Sequence, residues 1–412
     1  MSRAARADFD VVIVGSGMVG PCLAALLAQD DGLGQLRVAI VEPASPKPPS
    51  QGEVDLRVSA LSRASQRILA AVDAWDPVQA HSCAYSEMVV WDAASRHDAR
   101  DALHFSAAET GGPDLGHIAE NCRVQWALNE SPRLRKLTKL RTALEALDLG
   151  EDCARLTLAD GRRVSAALVV GADGGASMTR ELAGIARDGQ AYPQAAVVAH
   201  LRVARPHAYT AWQRFLANGP IALLPLRDGR VSMVWTTTPD EAATLLDAAP
   251  ETFATRVGEA CDHVLGEMTL ASERARFPLA LWHTREYCRA RLALVGDAAH
   301  TIHPLAGQGA NLGFLDCACL VEVLSKAKGL GEDWSGLRAL RRYERWRRSE
   351  NSLMLGVVDG LNRLFGAQGA ASSTVRRLGM SLVAQQPLLR RALIERALGV
   401  SGDVPRLVRG AA

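Results

Sequence analysis

The sequence predicts an α/β chain: a nucleotide-type parallel sheet assembled from separated stretches, an antiparallel β-sheet domain inserted into it, and a group of C-terminal helices. Three observations carry that expectation. Near the N-terminus an apolar strand runs into closely spaced glycines, then a helix and a second strand that ends in an acid. Between Ala195 and Phe277 the texture changes to strand-like segments alternating with turns. Beyond Arg291 a short apolar strand returns, followed by a glycine-rich loop and a helix.

Taken in order, Asp10 to Val14 is a continuous apolar run after one acid, the pattern of a strand buried on both faces. Gly15-Ser16-Gly17-Met18-Val19-Gly20 follows at once. Pro21 to Ala28 reads as a helix, and Val38 to Val41 is the next strand, ending at Glu42. Gly15 makes the turn, Gly17 admits a pyrophosphate and Gly20 lets helix pack on strand. Glu42 stands where a carboxylate binds a ribose hydroxyl pair. A lone G-x-G-x-x-G is weak evidence. Between strand and helix, with an acid about 20 residues on, it is a Rossmann-like dinucleotide fingerprint. The chain has one such fingerprint, which disfavours reductases that hold two dinucleotides in two domains of this kind.

Pro43 to Ser50 reads as an exposed loop, and Leu56 to Ser62 leads into a helix from Ser65 to Val72. Arg57 there suits a phosphate contact or an ordinary surface position equally. Ser86 to Asp92 is a strand leaving the first lobe, and Cys122 to Leu140 a helix followed by a short strand. Asp160-Gly161 joins Arg155–Leu158 to Val164–Leu168 as a hairpin. Leu168-Val169-Val170 then meets Gly171-Ala172-Asp173-Gly174, a second strand-to-glycine junction. Asp173 either orients a cofactor group or caps the turn that follows. Val197–Val203, Ile221–Leu226 and Val231–Thr237 are strands of the antiparallel sheet, with one helix from about Pro250 to Leu265 beside it. Residues 1–85, 118–190 and 285–335 are thus assigned to the nucleotide domain, and 86–117 and 191–284 to a substrate domain. Residues 336–412 form a basic helical region, with helices over Leu337–Arg348, Leu353–Phe365, Val375–Ala384 and Leu388–Ala397.

The stretch from Val295 to Gly313 organises the rest. Leu292 to Val295 is a buried strand, and Leu312 to Leu324 a helix with one apolar face. Gly307 and Gly309 let backbone approach a ligand with no Cβ in the way. The helix start presents unpaired N–H groups and a positive dipole end, which suit an anion or a ring that gains negative charge on reduction. His300 and His303 fit two roles: tuning a ligand, or hydrogen-bonding their own loop.

Composition bounds the function. A chain of 412 residues, 48% hydrophobic, has enough core for two lobes. No apolar run approaches the roughly 18 residues of a membrane span, and no secretory h-region opens the chain. Eight cysteines without a C-x-x-C pair support neither a zinc ribbon nor a dithiol centre, so free thiols in a reducing cytoplasm are expected. From Gly336 onward there are 14 Arg, no Lys and five acids, a charge of +9 against −7 for the remainder. Such a tail suits an acidic partner or an anionic membrane surface. Nucleic acid is disfavoured, because no aromatic stacking platform accompanies the arginines.

Together the motifs resemble the aromatic-hydroxylase group of flavoprotein monooxygenases with the p-hydroxybenzoate hydroxylase-like fold, and within it the ubiquinone-biosynthesis hydroxylases. The resemblance rests on Gly15–Gly20 with Glu42, on Leu56-Arg57-Val58-Ser59-Ala60-Leu61, on Gly171–Gly174 with Ser177 and Arg180, and above all on Gly296-Asp297-Ala298-Ala299-His300 through Gly313. Leu115–Asn121, Leu361–Gly366 and Ala397–Gly399 are most similar to the branch that hydroxylates ring carbon C5. The resemblance implies a FAD-binding domain. Gly15, Gly17, Gly20 and Glu42 would hold the ADP half. Arg57 and Gln125 would reach the pyrophosphate or ribityl region. Asp173 would lie near the transient nicotinamide path, and Asp297 would bind ribityl or pyrophosphate-side groups. Pro304, Gly307, Gln308, Gly309, Ala310 and Asn311 would line the isoalloxazine, with His303, Pro304 and Gly307 nearest the chemistry. It further implies NAD(P)H or another reductant as donor, O2 as co-substrate added at the flavin C4a position, and a prenylated phenol as substrate. It implies no metal. A cytoplasmic protein peripheral to the inner membrane is expected, touching that membrane or a ubiquinone-biosynthesis complex through its C-terminal helices. Two other readings stand beside it: a hydroxylase of a soluble aromatic compound, and a non-catalytic flavin-holding subunit.

Overall fold

The structure is a computed structural model, described here for residues 7–50, 52–301, 309–366, 383 and 386–409. Its first sheet forms around the strand Phe9–Val14, whose β-branched run Val11, Val12, Ile13 is fully buried. That strand pairs in parallel with Val38–Val41 on one side and Arg163–Gly171 on the other. Thr138–Leu140 extends the sheet beyond Val38–Val41, and Leu292–Leu294 extends it beyond Arg163–Gly171. Parallel neighbours need crossovers, so the sheet gathers stretches far apart in sequence. The expected hairpin is present as Ala154–Leu158 and the start of Arg163–Gly171, and Leu144–Leu149 adds a further strand to it. The helices Val19–Gln29 and Gly309–Gly329 pack into the same core, each burying a long apolar set.

The second sheet has nine strands and lies mostly antiparallel. Its centre is the long strand Arg187–Val203, paired with Val231–Thr237 on one side and Ala275–Thr284 on the other. Alternation divides its faces. Val197, Ala199, Leu201, Ile221, Leu223, Val231, Met233 and Trp235 form one core with Leu245, Phe253 and Val257 from two helices. Val198, His200, Ala222, Leu224, Ser232 and Val234 occupy the opposite face. That face meets the nucleotide half, where His200 Nε2 lies 3.1 Å from the carbonyl oxygen of Asp55. A small sheet of Val58–Leu61, Gly116–Glu120 and Cys83–Tyr85 adjoins both.

The structure differs from the sequence expectation at identifiable places. Thr210–Leu216 and Ala275–Thr284 are strands that mixed polar and aromatic residues had hidden. Where one helix was expected there are two, Pro239–Asp247 and Pro250–Ala260. A proline begins each, and Thr238 caps the first by accepting from Glu241 N. The polar stretch Ser349–Ser352 does not break the C-terminal region into two helices: Leu337–Gly366 is one. Its polar residues are satisfied internally, because Arg347 Nη2 donates to Asn351 Oδ1 at 2.7 Å and Glu350 pairs with Arg396. Leu340 and Tyr343 of this helix join the core of the nucleotide half. Pro387–Ala397 is helical as expected, whereas the helix expected over Val375–Ala384 lies outside the described residues apart from Val383. All eight cysteines are free thiols, and Cys22, Cys83, Cys261, Cys288, Cys317 and Cys319 are buried.

Candidate cofactor site

Three glycines of the first turn have three distinct reasons to be glycine. Gly15 has φ +106°, and a Cβ there would lie 2.5 Å from the carbonyl oxygen of Ala172. A Cβ on Gly20 would lie 2.0 Å from the carbonyl oxygen of Gly15, so this glycine sets how closely helix meets strand. Gly17 faces open space, with nothing within 4 Å of where a Cβ would stand. Side chains clamp the turn from outside. Ser16 N donates to Glu42 Oε2 at 2.9 Å, Ser16 Oγ donates to Asn129 Oδ1 at 2.9 Å, and Gln125 Nε2 donates to the Ser16 carbonyl at 2.8 Å. Glu42 and Gln125 therefore both brace the Gly15–Gly20 turn by hydrogen bonds to Ser16.

A second helix start converges on the first. A Cβ on Gly313 would come 2.7 Å from Val19 Cγ2, and one on Gly296 would come 3.1 Å from the same methyl. Val19 opens the helix Val19–Gln29 and Gly313 lies in the first turns of Gly309–Gly329, so the two positive dipole ends are neighbours. Neither first turn carries an acid, and Met18, at the cap of the earlier helix, offers no side-chain bond. Free N–H groups and paired dipoles together make an anion site.

Asp297 stands beside this convergence, with Oδ1 3.8 Å from where a Cβ of Gly309 would be. Its side chain is exposed to solvent, yet surrounding protein raises its carboxyl above the usual range, with His300 and Arg57 opposing that rise. A group both wet and surrounded lies in a crevice. Arg57 lies on the same side, its guanidinium 5.8 Å above the ring of Phe277 in the second sheet. Arg180, almost fully buried, links the two glycine loops by donating to the carbonyls of Gly175 at 3.1 Å and Ala298 at 3.4 Å.

Two expectations need revision. Asp173 lies against the Gly15 turn through its backbone, but its carboxylate accepts from Ser177 Oγ, Thr179 N and Thr179 Oγ1 at 2.6, 2.9 and 2.9 Å. Capping its own turn is what this side chain does. Asn311 turns its amide inward: Oδ1 accepts from Ser62 N and Ser65 Oγ, and Nδ2 donates to the Ala60 carbonyl. It pins the helix to the Val58–Leu61 strand instead of reaching a ligand by its side chain. Gly309 and Ala310 begin the helix beside Asp297. His303, Pro304, Gly307 and Gln308 lie outside the described residues.

Sequence reasoning missed Asp316, which is fully buried within the helix Gly309–Gly329. His300 Nε2 lies 2.6 Å from Asp316 Oδ2, so this histidine ties its turn to the helix Gly309–Gly329. Burial would raise the Asp316 carboxyl, but His300 and Arg347 outweigh it and hold it at about 2. An acid in the middle of the apolar run Leu312–Leu324 was the available signal.

These residues fit a flavin dinucleotide. An open Gly17, two converging helix starts whose first turns carry no acid, and a carboxylate in a wet crevice match a pyrophosphate with a hydroxylated chain attached. A family model described as an FAD binding domain matches residues 8–351. The ubiquinone hydroxylase UbiL of Rhodospirillum rubrum is 37% identical over 406 residues, covering 97% of this chain and 92% of that protein. The 3-demethoxyubiquinol 3-hydroxylase of Escherichia coli is 35% identical over 395 residues, covering 95% and 98%. Among solved structures, p-nitrophenol 4-monooxygenase PnpA from Pseudomonas putida shares the fold with a TM-score of 0.72 at 19% identity, covering 95% of this chain and 98% of its own.

Replacing Asp297 by Ala should yield protein that purifies without its yellow colour; a fully flavinylated variant would contradict the assignment. Acid should act through Asp316. Its depressed carboxyl adds stability that is complete above the ordinary value of 3.8 and is lost as pH falls toward about 2. Acid unfolding of Asp316→Asn should accordingly show a shallower pH dependence across that window than the parent. With fold, crevice and family match in agreement, the chain belongs to the FAD-binding-domain family and is an FAD-dependent aromatic-ring monooxygenase.

Proposed function

We propose that this enzyme hydroxylates the ring of a prenylated phenol in ubiquinone biosynthesis. The names of the two relatives supply the substrate class, and one observation about this chain carries it. The face of the second sheet that meets the nucleotide half is apolar at Ala196, Val198, Ala222, Leu224 and Val234. Within it, His200 Nδ1 and Ser232 Oγ are buried with no hydrogen-bond partner among the described residues, and the two residues sit opposite each other on paired strands. A buried polar atom left alone is costly, so such atoms await a partner. A long hydrocarbon carrying a few ring oxygens complements that surface better than a small aromatic acid, which would demand a cation. Phe277 lies on this face opposite Ala196, under Arg57, which sets the face against the cofactor crevice.

Bound FAD would supply the electron transfer and oxygen activation that ring hydroxylation requires. The protein's share is position, dryness and charge. Gly15, Gly17 and Gly20 with Glu42 would seat the nucleotide end, Asp297 would hold the hydroxylated chain, and the helix starting at Gly309 would favour negative charge on a reduced ring. The apolar roof would exclude water from the reacting carbon. NAD(P)H is the typical donor in this family.

The C-terminal helix offers a means of reaching such a substrate. Arg338, Arg341 and Arg345 are exposed along one face and line an open groove with Glu332 and Arg342. Spacing of three and four residues keeps them on one side. We assign to this row the contact with an anionic membrane surface. Among the described residues no helix is long and apolar enough to cross a membrane.

With purified holoenzyme, a prenylated phenol should stimulate NAD(P)H oxidation and gain one oxygen by mass, whereas a soluble hydroxybenzoate should do neither. The reverse preference would replace this proposal with a soluble-substrate hydroxylase, and no stimulation by either would favour a non-catalytic subunit. Leu224→Glu should retain FAD and lower kcat/KM by at least about tenfold, since a charge cannot be buried against a hydrocarbon tail. Reversing Arg338, Arg341 and Arg345 together to Glu should abolish co-sedimentation with phosphatidylglycerol vesicles, each arginine contributing about 1 kcal/mol near such a surface. Undiminished co-sedimentation would remove the membrane assignment and leave the hydroxylase reading intact.

A further inference from the structure

A single buried carboxylate joins the cofactor crevice to the C-terminal helix. Asp316 Oδ2 accepts from Gly296 N at 2.9 Å and lies 2.6 Å from His300 Nε2. Those two donors bracket the turn that carries Asp297. Asp316 Oδ1 accepts from Arg347 Nε at 2.7 Å and from Asn351 Nδ2 at 3.3 Å, both on the helix Leu337–Gly366. Arg347 Nη2 is bound in turn by Asn351 Oδ1, and Asn351 Nδ2 reaches the Tyr287 hydroxyl at 3.2 Å. That hydroxyl lies 2.9 Å from His283 Nε2. Arg347, Asn351, Tyr287 and His300 are all at most 2% exposed.

Packed apolar residues would stabilise this junction as well as an ion pair does, because burying two charges costs about what their attraction returns. What the pair adds is direction. Each carboxylate oxygen is claimed by two donors, so neither can rotate without breaking bonds on both sides. Among the described residues, His300, Arg57 and Asp316 are the charged groups that act on the Asp297 carboxylate. Its aim depends on the turn beneath it.

We infer that Asp316 and Arg347 are positioning residues for FAD: the C-terminal helix, through this ion pair, sets the turn that presents Asp297 to the cofactor. The inference rests on the FAD site described above and is independent of which phenol is hydroxylated. The helix is therefore part of the cofactor site as well as a bearer of surface arginines. Truncation before Leu337 would remove both donors to Asp316 Oδ1, Arg347 Nε and Asn351 Nδ2.

The test is a titration of full-length, FAD-stripped protein with FAD, followed by flavin fluorescence, beside a melting curve for each variant. Arg347→Leu should weaken FAD binding by about tenfold or more, as expected when a buried charge-assisted bond is removed. Arg347→Lys, which keeps the charge, should recover most of that loss. Trp346→Phe is the matched control on the same helix. It removes the bond from Trp346 Nε1 to the Asp403 carbonyl and part of an indole packed on the core, and should lower the melting temperature without changing FAD affinity. FAD affinity of Arg347→Leu within about twofold of the parent would overturn the inference, since the stated loss is a full charge-assisted bond. So would an equal loss in Trp346→Phe, because any loosening of the helix would then suffice. If Arg347→Leu does not fold, Asn351→Ala decides: it keeps the ion pair but frees Arg347 Nη2, and should weaken FAD about threefold, an unchanged affinity counting against the inference.

Discussion

The structure depends on the approach of two helix starts to within a methyl group of each other. Val19 touches the positions where Gly313 and Gly296 would carry a Cβ, and no larger residue fits at either without displacing it. That contact brings together two positive dipole ends from opposite ends of the chain. It also sets the Gly296–Ala298 turn directly over the glycine turn after the first strand. Everything else at the site is arranged around it: Glu42 and Gln125 hold the first turn from outside, Arg180 braces the second, and Asp297 looks into the space between.

The second sheet answers a different constraint. One face must pack on its own two helices, and strand alternation then commits the other face to the nucleotide half. That second face is apolar at Ala196, Val198, Ala222, Leu224 and Val234, and His200 Nδ1 and Ser232 Oγ, which have no hydrogen-bond partner among the described residues, lie together on it. Shape and chemistry for the substrate thus come from one side of one sheet, while shape and chemistry for the cofactor come from turns and helix starts. The division lets substrate preference vary without disturbing the flavin.

What could be read from the sequence was local. The strand Phe9–Val14, its glycine turn and Glu42 lie within one short stretch, and each glycine's purpose follows from spacing alone. The stretch around Asp297 was legible for the same reason. What escaped depends on partners far along the chain. Asp316 and Arg347 are 31 residues apart, and Arg347 is indistinguishable in sequence from the solvent-facing arginines beside it. Ser349–Ser352 looked like a break because the helix interior that accepts Asn351 is made by Asp316 and Tyr287. Asn311 sits in a stretch of ligand-binding character, and only the fold reveals that Ala60, Ser62 and Ser65 occupy its amide. Thr210–Leu216 places Trp212 in the core and Gln213 on the opposite face, so its periodicity is blurred by the polar demands of both.

The free cysteines have a chemical consequence. A thiol reacts with peroxide as its thiolate, and burial pushes Cys261, Cys288, Cys317 and Cys319 far above the ordinary thiol range, and Cys83 and Cys122 up to about 11. A flavoprotein that handles dioxygen releases some of it half-reduced whenever a turnover miscarries. By keeping Cys261, Cys288, Cys317 and Cys319 protonated and enclosed, the fold makes these four sulfurs poor targets for that by-product.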